Sequence, residues 1–160
     1  MNLKIALSCV VAAMMVALAS ASETLYVACD DPNASDEAVE GRGTEALPYA
    51  TIQAAVAAAQ EDWTVLVKPG VYTNGTAKSP SSSNPYQSNR VMIDKRIRLE
   101  STDGAAKTEI RGCWKPGGTY GSGAIRAVYI AATAEGTVVK GFTIADSATQ
   151  NDMASHDHGG

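Results

Sequence analysis

The sequence predicts an all-β fold: a single-stranded solenoid of the parallel β-helix kind, closed at its N-terminal end by a capping α-helix. Three observations carry this expectation. First, between Ala46 and Tyr72 an alanine-rich helical stretch runs directly into the β-branched segment 64–68, which stops at Pro69-Gly70. Second, short apolar runs recur along the rest of the chain at intervals of roughly ten residues, the spacing of strands in an all-β chain. Third, two successive sets of these runs lie over one another. Residues 91–93, 97–99 and 108–112 form one set, and residues 128–130, 137–141 and 142–144 form the next. In a stacked coil the inward aliphatic positions must repeat, while corner loops vary in length.

The elements follow in order. Residues 24–29 (Thr-Leu-Tyr-Val-Ala-Cys) are an apolar, β-prone run and open the fold. Residues 30–48 are polar and punctuated by Asp31-Pro32, Gly41 and Gly43, which predicts a long surface loop. Thr51 is placed to cap a helix through its hydroxyl. Ile52, Ala55, Val56 and Ala59 then share one helix face at i, i+3, i+4 and i+7. Small side chains on that face allow close approach to something flat, and the end of a β stack is flat. Residues 64–68 make the first rung strand, Pro69-Gly70 turns it, and Val71-Tyr72 resumes. Residues 73–89 have no periodicity and are rich in Ser, Pro, Asn and Gly, so they predict a projecting loop. Strands are expected at 90–93, 96–99 and 107–111, a second Gly/Pro-rich loop at 114–123, and strands at 127–131, 137–140 and 142–144. A sandwich of antiparallel hairpins is the rival all-β reading, and tight Asn-Gly turns favour it. Asn74-Gly75, however, opens a long polar loop instead of joining two strands.

Residues 1–21 have the pattern of a signal peptide. Lys4 supplies the positive end, residues 5–18 the apolar run, and Ala19-Ser20-Ala21 the small-residue cleavage site. The apolar run is shorter than the roughly 18 residues that span a bilayer, and no later segment is hydrophobic enough to do so. A secreted or cell-surface location follows. Residues 22–160 then hold about one domain's worth of chain. Net charge is −4 and becomes one unit more negative when Lys4 leaves. A duplex nucleic acid partner needs a concentrated basic surface and is disfavoured.

The charge is unevenly spread. Residues 23–62 are acidic apart from Arg42, whereas residues 90–115 are predominantly basic. Solvated loops and outward strand faces produce such a pattern; so does a basic face that meets an acidic polymer. Cys29 and Cys113 remain after signal removal, an even count in an oxidising compartment. Both a disulfide and a pair of inert buried thiols fit that count.

Leu25-Tyr26-Val27, Gly41-Arg42-Gly43-Thr44, the run from Leu47 to Ala55, Val65 to Tyr72, and Val139 to Ile144 together resemble the N-terminal part of a right-handed parallel β-helix of the pectate-lyase-like superfamily. Similar openings occur in adhesin-like polymorphic proteins of the bacterial outer membrane. Family members have many more rungs than the roughly three expected here, and stacked repeats need capping units at their ends. The resemblance therefore implies an N-terminal piece of a longer protein, with residues 155–160 similar to the start of another rung.

Two functions are compatible with this resemblance. One is a lyase on acidic polysaccharide such as pectate; the other is a non-catalytic adhesin or outer-membrane surface protein. A lyase of this fold holds Ca²⁺ with converging carboxylates, because calcium takes six to eight oxygen ligands, and removes a proton with a basic residue, usually arginine. Asp146, Asp152, Asp157, Arg98, Arg111 and Arg126 have suitable chemistry, but no motif assigns any of them a role. The acidic run from Asp30 to Glu37 lacks the EF-hand order, and His156-Asp157-His158 offers a metal-ligand pair in a glycine-flanked tail. Trp114, between Gly112-Cys113 and Lys115-Pro116-Gly117, offers a ring for sugar stacking or for packing onto the barrel; Trp63 is expected in the core.

Overall fold

Buried and open positions alternate along Thr24–Val27 (β1) and Thr64–Val67 (β2), so each strand presents Leu25 and Val27, or Val65 and Val67, to one interior. The two strands pair in parallel, with Leu25 opposite Val65. A computed structural model describes residues 23–79, 87–118 and 120–150. The expected signal segment 1–21 lies outside the described residues, as do Asp152, His156, Asp157 and His158.

The chain continues through Ile52–Ala58 (α1), Gly70–Tyr72 (β3), Ala77–Lys78 (β4), Ser88–Ile93 (β5), Arg98–Ser101 (β6), Thr108–Arg111 (β7), Ile125–Ile130 (β8), Val138–Lys140 (β9) and Thr143–Ala145 (β10). Three sheets result, ordered β1-β2-β6-β9, β3-β7-β10 and β4-β5-β8. Every pairing within them is parallel except β4 with β5. Successive strands visit the three sheets in turn, which makes a β-solenoid of about three turns.

The two sets of apolar runs stack as their sequences suggest. Leu99 pairs with Val65 on one side and Val139 on the other. Ile110 pairs with Tyr72 and Ile144, and Ile93 with Ile130. Val65, Leu99, Ile110 and Ile93 are completely buried. Each inward aliphatic side chain thus rests on its counterpart one coil away, and this column of contacts is where the burial energy resides.

Helix α1 comes between β1 and β2. Ile52, Ala55, Val56 and the following Ala59 join the core, and the helix packs against β1, β2 and β5. Thr51 Oγ1 accepts from Ala54 N–H at 3.2 Å. Asp36 reinforces this cap: Oδ1 accepts from the N–H groups of Ala50 and Thr51, and Oδ2 from the Thr51 hydroxyl. At the other end Lys95 Nζ donates to the carbonyls of Val56 and Ala59, as a cation at a helix C-terminus should. Gln53 Oε1 accepts from Met92 N–H at 2.7 Å, so the helix also satisfies a backbone donor of β5.

The outer edge of β1 is occupied as well. Tyr26 N–H donates to Gly43 O, Tyr49 N–H to Tyr26 O, and Ala28 N–H to Tyr49 O. The loop read from residues 30–48 is therefore partly a cover for a strand edge. Gly43 allows the approach: it has φ +93°, and a Cβ there would lie 2.6 Å from Leu25 Cδ2.

Within the expected loop at 73–89 the structure adds a short strand pair, and residues 80–86 lie outside the described residues. Ala77 and Lys78 form β4, antiparallel to Ser88 and Asn89 at the start of β5. Side-chain bonds from Asn89 Nδ2 to Ala77 O and Ser79 Oγ hold this hairpin-like pair, a tertiary arrangement that polar composition conceals. The strand expected at 96–99 begins at Arg98 and ends at Ser101, because Ile97 packs in the core while its N–H is taken by the Thr137 hydroxyl. Trp63 is half-buried against the core. Among the described residues no helix is long and apolar enough to cross a membrane.

Candidate functional site

Strand β7 ends at Arg111, and the turn through Gly112 and Cys113 brings the Trp114 ring beside the last strand. Cys113 N–H donates to Ile125 O and Ile125 N–H to Cys113 O, a reciprocal pair that closes the base of the 114–123 loop. Gly112 passes directly beneath the chain that leaves β10. Its N–H donates to Ala145 O, and a Cβ on it would lie 2.6 Å from Asp146 O. Asp146 itself has φ +50°, a left-handed conformation that aspartate tolerates better than most residues.

That turn places the Asp146 carboxylate between two groups from the coil beneath. Oδ1 accepts from Trp114 Nε1 at 3.4 Å, and Oδ2 lies 3.5 Å from Arg111 Nε. Arg111 also donates to Glu109 Oε1. Trp114 remains 45% exposed, and Tyr120 in the same loop is 63% exposed. The result is an open indole held at one end by a hydrogen bond, beside a cation paired with two carboxylates. Such a surface stacks on an apolar ring face and bonds to hydroxyls around it, as aromatic platforms with polar handles do.

The candidate residues otherwise scatter. Arg98 leaves β6 on the first sheet, where it pairs with Glu100. Arg111 is on the second sheet. Arg126 is on the third, largely buried, with its guanidinium 5.3 Å from the Tyr129 ring centroid. Among the described residues, Arg111 and Asp146 are brought together. Proton abstraction by arginine requires the guanidinium to give up its proton readily. The hydrogen bond and charge of Glu109, with the charge of Asp146, instead raise the pKa of Arg111. That environment favours the charged guanidinium. Sequence reasoning gave no role to Arg90, a largely buried side chain that donates to Arg111 O and Gly75 O. Burial lowers its pKa, yet its donors are spent on backbone carbonyls, so it ties loops to the coil.

The calcium implied by the resemblance needs several converging oxygen ligands. Among the described residues no group of three or more His, Cys, Asp or Glu side chains converges. In the acidic loop Asp31 accepts from Asn33 N–H, while Asp36 is committed to the start of α1.

Cys29 and Cys113 are unpaired thiols in this structure. The register explains their separation. Cys29 Sγ sits against Gly70, and Gly70 pairs with Thr108 at the opposite end of β7 from Cys113. Burial, with a smaller contribution from Asp30, pushes the Cys29 thiol pKa up, whereas Cys113 is exposed. A thiol reagent should therefore modify Cys113 in the folded protein and reach Cys29 only on unfolding; mass spectrometry of the labelled peptides checks this. Absence of both labels in denaturant without reductant would establish the bond instead.

Comparison with protein-family models, with curated proteins and with solved structures yields no match to this chain.

Proposed function

We propose that this chain is the N-terminal part of a secreted or surface-displayed right-handed β-helix, similar to pectate-lyase-like proteins, that binds polysaccharide without cleaving it. The observation that carries the reading is the exposed Trp114 ring, fixed by Asp146 and flanked by Arg111. Right-handedness is the hand that crossovers between parallel strands of one sheet adopt in nearly all cases, and β1-α1-β2 is such a crossover. The role of α1 as an N-terminal cap is supported by Gln53, which occupies a donor of β5, and by the cover over β1. Export rests on the signal pattern of residues 1–21.

Binding is favoured over lysis because the three candidate arginines, Arg98, Arg111 and Arg126, lie on separate sheets, and the carboxylates beside Arg111 favour its charged form. This agrees with the adhesin alternative and leaves acidic and neutral polysaccharides as candidate ligands. The test pairs two measurements on the purified chain. Retention on immobilised polygalacturonate and on a neutral glucan should fall about tenfold or more in Trp114→Ala, a loss of about 1.4 kcal/mol. Incubation with polygalacturonate and calcium should give no unsaturated product. Equal retention of the variant on every polymer would remove the binding reading, and a rising product absorbance would restore the lyase.

A further inference from the structure

Three asparagines fall among the described residues, and their surroundings differ. Asn89 is completely buried, and its Nδ2 is committed to Ala77 O and Ser79 Oγ. Asn33 is exposed, but alanine follows it, and Ala34 N–H donates to Asp31 O at 3.0 Å. Asn74 is exposed in a stretch without regular secondary structure between β3 and β4, and glycine follows it. Among the described residues nothing accepts from the Gly75 N–H. An asparagine side chain is open to attack by the backbone nitrogen of the next residue when that nitrogen can reach Cγ and shed its proton. A β-carbon on the next residue obstructs the approach, and a hydrogen bond from the N–H opposes loss of the proton. Glycine removes the first obstacle and leaves the backbone free to turn; the open N–H removes the second. The pair Asp103-Gly104 has the glycine but not the open N–H, because Gly104 N–H donates to Ser101 Oγ at 3.0 Å.

We propose that Asn74 is a self-modifying site, which converts to isoaspartate and aspartate through a succinimide and thereby loosens the anchor of the first turn of α1. In the first step the deprotonated Gly75 nitrogen forms a bond to Asn74 Cγ. The Cγ–Nδ2 bond breaks, and Nδ2 takes a proton from water and leaves as ammonia. In the second step water opens the ring. Addition at Cγ gives aspartate; addition at the Asn74 main-chain carbonyl leaves Gly75 attached through Cγ, which is isoaspartate. The sum is amide and water to carboxylic acid and ammonia, with no oxidant or reductant. The consequence follows from what Gly75 touches. It has φ +75°, and a Cβ on it would lie 2.8 Å from Thr51 Cβ, so its backbone packs directly on the residue that caps α1. Its carbonyl accepts from Arg90 Nη1 at 2.7 Å. Isoaspartate inserts one further carbon into the main chain immediately before Gly75 and adds a negative charge there. Thr51 is fixed by Asp36, and Arg90 by Arg111 O, so neither follows the displaced backbone.

Incubation of the purified chain at neutral and at mildly alkaline pH, followed by peptide mass spectrometry with electron-transfer fragmentation, tests this. Asn74 should exchange its amide for an acid about tenfold or more faster than Asn33 or Asn89. The rate should rise with pH, as loss of the Gly75 amide proton requires, and isoaspartate should accompany aspartate among the products. The converted chain, separated from its parent by the added negative charge, should melt at a lower temperature. The Ala54 amide, which bonds to Thr51 Oγ1, should exchange its hydrogen faster in it. Conversion at Asn74 no faster than at Asn33, aspartate without isoaspartate, or a converted chain with unchanged melting and exchange would each overturn the proposal.

Discussion

Replacing Leu99 by alanine should destabilise the protein by about 3 to 5 kcal/mol, the upper part of the range for buried leucine. Leu99 is completely buried in the middle of the longest sheet, with Val65 below it and Val139 above. Deleting its side chain removes apolar contact with both neighbouring coils, and the strands cannot collapse to fill the gap because their hydrogen bonds fix the coil spacing. Leu66 provides the control. It is adjacent to Val65 on β2 but points to the other face and is only partly buried, so Leu66→Ala should cost about 1 kcal/mol. Urea denaturation followed by circular dichroism measures both. Equal losses would mean that Leu99 does not face the common interior, and the stacked-coil arrangement would have to be abandoned.

The second large effect is expected at Gly112. Its need for glycine is spatial: a Cβ there would lie 2.4 Å from Ile125 O and 2.6 Å from Asp146 O, both backbone atoms. No side-chain rotation relieves such a contact. Gly112→Ala must push β10 or β8 away from β7, at a cost of about 3 kcal/mol. It should also disturb the Asp146 turn and so weaken the Trp114 platform. Gly117 separates space from conformation. It has φ +103° but nothing within 4 Å of an added Cβ, so Gly117→Ala should cost only about 1 kcal/mol for the left-handed backbone. Thermal melting of the two variants decides the matter, and comparable shifts would show that crowding at Gly112 is not real.

These two residues mark how far the sequence could be read. Leu99 was legible, because residues 97–99 and 137–141 share an aliphatic pattern and the parallel register follows from superposing them. The cap at Thr51 and the helix face through Ala59 were legible for the same reason: both are local patterns with a fixed period. Gly112 was not. Its crowding comes from Asp146 and Ile125, which no spacing rule connects to it. The pairing of Ala77 and Lys78 with Ser88 and Asn89 was hidden similarly, since it rests on bonds such as that from Asn89 to Ser79 across a composition that signals loop.

The candidate site shows the same division. Arg111, Asp146 and Trp114 were each visible as residues of suitable chemistry, but so were Arg98 and Arg126, which lie on other sheets. Sequence alone determined the stacking of coils and the short helix near the first of them, because inward periodicity and turn residues act over a few positions. Only the tertiary structure decided which cation meets which carboxylate and which thiols stay apart. Those outcomes depend on loop lengths and on strand edges that meet across a whole coil, and neither leaves a repeating trace along the chain.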